Sequence, residues 1–152
     1  MMDLWRISKF NSLSGEGGLH YSARWHTAGR RIVYLAESPA GALIEALVHM
    51  ELNQRNWPDF YDLMQVAVPD GMQIETIQVP EEKRWKESVD VTRALGDEWL
   101  RSQRTALARV PSAIVVNTWN ILLNPEHAAA DRIKAVQTTR AQFDPRLFPK
   151  AQ

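Results

Sequence analysis

The chain contains no cysteine. Disulfide staples, zinc–thiolate centres and cysteine nucleophiles are thereby excluded. It carries no net charge either, because 18 basic residues cancel 18 acidic ones. A neutral chain has no global field drawing it onto nucleic acid or an anionic membrane, so neither is expected as a direct partner. No window approaches the roughly 18 consecutive apolar residues of a membrane span. The opening MMDLWRISKF lacks the apolar run of a secretory signal, and the expectation is a soluble, cytoplasmic protein. The four histidines show no HExxH spacing, and there is no Walker A loop, no GxGxxG and no GxSxG elbow. No metal site is therefore expected. No repeat, low-complexity tract or linker interrupts the 152 residues, which read as one domain over 1–152.

What is present is ordinary for a folded globular chain: 45% hydrophobic and 24% charged residues. Six tryptophans are spread along the chain and form no single aromatic platform in sequence. MDLWRIS reads as a first strand, and NSLSGEGGLHYS as a turn-rich loop whose glycines give it freedom. ARWHTAGR is a polar crossing segment, and RIVYLA a strand with two apolar faces, covered on both sides. Ser38 caps a helix with Pro39 at its first position, running to about Leu52. FYDLMQVAVP and MQIETIQVP are two strands joined at Pro69-Asp70-Gly71 by a hairpin or sharp reversal. VTRALGDEWLRSQRTALA is an amphipathic helix with Gly96 as a weak point, and PSAIVVN a buried strand. NILLNPEHAAA reads as a loop entering a short helical turn, and the tail from Asp131 as a strand and a terminal segment. The order is irregular rather than βαβ, which predicts an α+β domain around a twisted mixed sheet.

Several residues sit where their chemistry is out of place. Glu45 lies in an apolar helix on the side of Gly41, Ala42 and His49, a stripe of small residues with one acid and one imidazole. Spacing alone favours a solvated acid with His49 as its i,i+4 neighbour. Arg6 interrupts the apolar run Leu4, Trp5, Ile7. A buried arginine there needs an anion, whereas an edge arginine does not. Tyr34 fits a core tyrosine with a satisfied hydroxyl, Arg24 a surface arginine stacked on Trp25, and Ser112 a strand-start hydroxyl bonded to backbone. Asn124 and His127 fit an Asn-Pro turn.

The order of these residues carries more than any one of them. GLHYSARWHTAGRRIVYLAESPAGALIEALVH, then VTRALGDEWL, VPSAIVVNTWNILLNPEH and FDPRLF, resembles the RES-domain family over about residues 4 to 148. The resemblance implies a fold similar to ADP-ribosyltransferase toxins, and a bacterial toxin of a toxin–antitoxin system with an Xre-type antitoxin as partner. It implies consumption of NAD+ by cleavage of the nicotinamide–ribose bond, causing growth arrest, with NAD+ as substrate and no separate cofactor. Some members use phosphate as acceptor, and at least one kind ADP-ribosylates a protein of nucleotide metabolism. The family's arginine, tyrosine, glutamate and serine map onto Arg24, Tyr34, Glu45 and Ser112 as expected catalytic residues, and its first-strand arginine onto Arg6. Arg6, Arg24, Tyr34 and Asn117 are the expected substrate-binding residues. The text NTWN departs from the family's usual proline or glycine and acidic residue, which leaves the parts of Asn117 and Asn120 open.

The chemistry fits. Cleaving the nicotinamide bond leaves positive charge on the ribose, which a fixed carboxylate stabilises best in a water-poor site. Arginine is the natural fork for a pyrophosphate, and the 15–18 loop would fold over the ligand. A protein ADP-ribosyltransferase using the same site and a non-catalytic binding module of the same fold stay open as alternatives. So does a homo-oligomer within the toxin–antitoxin complex.

Overall fold

Residues 1–50, 58–81 and 84–148 are described by the computed structural model. Among them lie β1 (Met2–Ile7), α1 (Glu16–His20), β2 (Val33–Ala36), α2 (Pro39–His49), β3 (Phe60–Val68), β4 (Ile74–Thr76), α3 (Val89–Ser102), β5 (Leu107–Pro111), β6 (Trp119–Leu123) and β7 (Lys134–Gln142). The strands form one sheet in the order β4-β5-β6-β2-β1-β3-β7. Only β4–β5 is parallel. The expected α+β architecture with a mixed sheet is therefore present.

Alternation along the strands separates two cores. Leu4, Val33, Leu35, Met64, Val66, Ile121 and Leu123 bury one face. Trp25, Trp99, Leu100, Ala108, Val110 and Leu122 bury the other, with Tyr34 packed against them. β2 is thus covered on both sides, as its run of apolar residues predicts. β1 and β2 are registered at a single pair, Trp5↔Ala36, whereas β1 and β3 pair over six residues. α2 packs over β1 and β2 beside this weak seam.

Five sequence expectations need correction. β4 is no hairpin partner of β3: it pairs with β5 at the far edge of the sheet. The buried strand is LARVP rather than PSAIVVN, and the helix expected over 91–108 ends at Ser102, leaving residues 107 and 108 to the strand. The Ser112 side chain turns the chain out of the sheet, its Oγ accepting from the Ile114 and Val115 N–H groups at 3.1 Å. Residues 120–123, expected as the start of a loop, lie in β6. α2 stops at His49, with Met50 extended, rather than at about Leu52, a position outside the described residues. Finally, the 15–18 segment is not wholly loop. It forms the start of α1, and a Cβ on Gly18 would lie 2.4 Å from the Arg30 carbonyl oxygen. Glycine there allows close packing rather than freedom.

Gly96 has the same explanation. A Cβ at this position would lie 1.7 Å from the Trp25 carbonyl oxygen. The presumed weak point of α3 is where the helix meets the segment carrying Arg24. Around it, Thr92 Oγ1 donates to the Arg24 carbonyl at 2.5 Å and Arg93 Nε to the Ala23 carbonyl at 2.8 Å. Asp97 accepts from the Thr27 N–H at 3.0 Å and the Thr27 hydroxyl at 2.7 Å. One face of one helix clamps residues 23–27.

Candidate active site

A cleft of about 930 Å³ opens over α2, the end of β1, the 21–25 segment and the start of β3. That is the upper part of the range for small-molecule sites. Arg6, Arg24, Tyr34, Glu45 and Asn120 all line it. From α2 it is lined by Ala42, Glu45, Ala46, Val48 and His49, of which Ala42, Glu45, Ala46 and His49 form the i, i+3, i+4, i+7 face of a helix. Ser38 starts that helix as expected, its Oγ accepting from the Gly41 N–H at 2.9 Å. Gly41 does not reach the cleft lining; it faces Ser38 and Ala36.

Glu45 is half-buried and held from across the sheet. Asn120 Nδ2 donates to its Oε1 at 2.7 Å, and Ser112 Oγ donates to the same oxygen at 3.3 Å. Among the described residues Oε2 has no hydrogen bond. Ser112 is 5% exposed, with its lone pairs facing the Ile114 and Val115 N–H groups and its proton facing Glu45. That arrangement suits a hydroxyl that orients a carboxylate better than one that attacks an electrophile.

Arg6 is the second unusual group. Its Nη1 reaches the Tyr34 carbonyl at 3.4 Å across the β1–β2 seam, and Nη2 reaches Ser8 Oγ and the Phe10 carbonyl at 3.2 and 3.4 Å. Nε is buried without a hydrogen-bond partner. No carboxylate lies within ion-pair distance among the described residues. Burial pulls its pKa down to about 10, so the group stays a cation at neutral pH but an uncompensated one. Such a charge is costly unless an anion arrives. Arg24 is half-buried and donates Nη1 to the Lys86 carbonyl at 2.9 Å. Its remaining nitrogens make no hydrogen bond among the described residues.

Tyr34 is among the residues lining the cleft, its side chain packs against the Trp25 core cluster, and its hydroxyl is bound by the protein. It accepts from the Trp25 N–H at 3.2 Å and lies 2.8 Å from His26 Nδ1. His26 Nε2 lies 3.3 Å from the Gly18 carbonyl, which can only accept. Nε2 therefore carries the proton, and Nδ1 accepts from the Tyr34 hydroxyl. Burial holds the His26 imidazole below its ordinary pKa and pushes the Tyr34 phenol well above its own. Both rings are neutral at pH 7. This pair anchors the backbone next to Arg24.

Of the residues singled out from sequence, Asn117 lies outside the cleft lining, exposed, with φ 55° in the 112–118 turn. Asparagine tolerates that left-handed conformation better than most side chains. Asn120 reaches the carboxylate instead. Asn124 Oδ1 accepts from the Glu126 N–H at 3.0 Å and His127 Nδ1 from the Ala129 N–H at 3.0 Å, so both hold the Asn-Pro turn. His26 went unrecognised in the sequence, although it follows Trp25 directly.

The family model described as RES domain matches residues 3–144. The chain belongs to the RES-domain family. This RES domain is 42% identical over 148 residues to "Toxin Res" of Pseudomonas putida, covering 97% of this chain and 100% of that protein. It is 36% identical over 159 residues to "Prs ADP-ribosylating toxin" of a Sphingobium species, covering 97% of each. Among solved structures it resembles a chain in the crystal structure of the M. tuberculosis MbcT–MbcA toxin–antitoxin complex, with a TM-score of 0.70. That match has 16% identity and covers 96% of this chain and 86% of that one. At that identity the likeness is one of fold.

Proposed function

We propose that this RES domain is the toxin of a toxin–antitoxin pair and that it consumes NAD+ by breaking the bond between nicotinamide and ribose. The observation that carries the reading is the Glu45 carboxylate, held through one oxygen by Asn120 and Ser112 in a cleft that also contains the uncompensated guanidinium of Arg6. The carboxylate stabilises the positive charge that develops on the ribose. Nicotinamide leaves as a neutral molecule with the bonding electron pair. An acceptor oxygen bonds to the ribose carbon and releases its proton. Because the leaving group is cationic in the substrate, no general acid is needed. Arg6 and Arg24 hold the pyrophosphate, and the Tyr34 ring packs against the nicotinamide riboside. Asn120 and Ser112 orient the carboxylate.

A second reading, transfer of ADP-ribose to a protein, is favoured by the printed name of the Sphingobium relative. It uses the same groups with a side chain as acceptor. The names of the relatives, together with the toxin–antitoxin complex that shares the fold, support an antitoxin partner. An Xre-type protein that occludes the cleft in the cytoplasm is the simplest form of it. The test is purified protein with NAD+, with and without phosphate, the products being separated by chromatography. Free ADP-ribose points to water as acceptor, a phosphorylated ADP-ribose to phosphate, and labelled protein to the second reading. Intact NAD+ in all arms, including one with cell extract, overturns both.

A further inference from the structure

A second cavity, of about 570 Å³, lies at the C-terminal end of α3. It shares no lining residue with the cleft, and its volume falls within the range of small-molecule sites. Three segments build it. α3 contributes Asp97, Leu100 and Arg101, the i, i+3, i+4 face of its last turns. The loop between the clamped segment and β2 contributes Arg30 and Arg31, and the turn after β6 contributes Asn124.

The cations of this cavity are not spent on the fold. The guanidinium groups of Arg30 and Arg101 make no hydrogen bond or ion pair among the described residues. Arg101 does not pair with Asp97 one turn before it, because both Asp97 oxygens accept from Thr27. A cation at this position can serve the last carbonyls of a helix, but those carbonyls have other donors. Ser102 Oγ donates to the Trp99 carbonyl at 2.7 Å, and Gln103 Nε2 and Asn124 Nδ2 each reach the Leu100 carbonyl at 3.4 Å. Arg31 gives Nη1 to the Ser14 carbonyl at 3.0 Å and keeps the rest of its fork. Asn124 is 2% exposed. Its Oδ1 accepts from the Glu126 N–H and one Nδ2 proton goes to Leu100. The second Nδ2 proton has no acceptor among the described residues. A buried amide proton without a partner, in a lining with three guanidinium groups, is a donor set matched to an oxyanion. The two acids of the lining do not cancel it, since Asp97 is engaged by Thr27 and Glu126 is exposed.

We propose that this cavity is a second binding site, for a small molecule carrying a phosphate or pyrophosphate group. Arg30, Arg31 and Arg101 supply planar forks that match phosphate oxygens, and Asn124 a neutral donor. A ligand here joins the 27–31 loop to α3, next to the Thr27–Asp97 contact that helps to hold the segment carrying Arg24. The site does not depend on the NAD+ reading, because none of its residues lines the cleft.

The test is a titration of the isotope-labelled protein with inorganic pyrophosphate, AMP and a hexaglutamate peptide, followed by backbone amide resonances. Pyrophosphate should shift the amides of residues 28–31 and 101–103 saturably. In the Arg30→Gln/Arg101→Gln double variant that affinity should weaken by about 10-fold or more, the scale of a lost charge-assisted hydrogen bond. Both positions are exposed, and the melting temperature checks that the fold is intact. Shifts around Arg6 and Arg24 should be the same in the variant, which separates this site from the cleft. Tighter binding of AMP than of pyrophosphate at the same amides supports the site with a nucleotide as its ligand, and the reverse order supports it with a bare phosphate. Shifts confined to the cleft, or an unchanged affinity in the double variant, overturn the site. So do equal shifts with sodium chloride at matched ionic strength. Hexaglutamate binding at these amides where pyrophosphate does not bind also overturns it, and makes the cavity a contact for an acidic protein segment.

Discussion

The charged groups of the cleft differ in how they are held, and this difference sets their expected sensitivity to substitution. Arg24 has one nitrogen on the Lys86 carbonyl and the rest of its planar fork available. Lysine offers charge without that fork. Arg24→Lys should therefore fail to restore NAD+ consumption, with a loss on the order of 2–4 kcal/mol in apparent transition-state binding. Turnover close to wild type at limiting NAD+ would remove Arg24 from the pyrophosphate. His26 carries a pH prediction. Burial lowers its folded pKa below the unfolded value, so between the two the unfolded chain binds more protons. The stability present above about pH 6.5 is lost as the pH falls through the folded value. His26→Gln keeps an acceptor for the Tyr34 hydroxyl and removes the titration. The melting temperature of the wild type should fall further than that of the variant between about pH 7.5 and pH 5.5. Equal falls would show that His26 does not titrate in this window.

At the scale of elements, the decisive contacts join segments distant in sequence. α3 holds residues 23–27 through Thr92, Arg93, Gly96 and Asp97, about 70 residues away in the chain. Gly96→Ala should destabilise by about 1–3 kcal/mol or more through overpacking, despite the better helix propensity of alanine. It should also lower turnover by displacing Arg24. A calorimetric melting temperature at or above wild type would contradict the clamp. The same geometry explains what could be read from sequence and what could not. Capping by Ser38 and Pro39, the two-sided burial of β2 and the three first strands are local patterns, and they were legible. The partners of Glu45 were not, because Asn120 meets it only through the β2–β6 register. Residues 111–117 look like a buried strand because they are apolar. The Ser112 hydroxyl takes two following N–H groups and bends the chain, and Val116 is left 72% exposed. Gly18 and Gly96 look like flexibility or weakness in one dimension and are close packing in three.

For the whole molecule, the fold places the cleft across a weak seam in one sheet. No helix among the described residues is long and apolar enough to cross a membrane. Expression without an antitoxin should lower the cellular NAD+ level and arrest growth, and co-expression of an Xre-type partner should reverse both. Arrest with unchanged NAD+ would move the main target to a protein. The central claim is that the Glu45 charge acts in the transition state. Its most direct test is nicotinamide release by purified Glu45→Gln at saturating NAD+, alongside its melting temperature and NAD+ affinity. The neutral isostere keeps an oxygen for Asn120 and Ser112, so the fold should survive and affinity should change little. Turnover should drop by roughly 100-fold or more. A folded Glu45→Gln protein that releases nicotinamide at the wild-type rate would contradict the account.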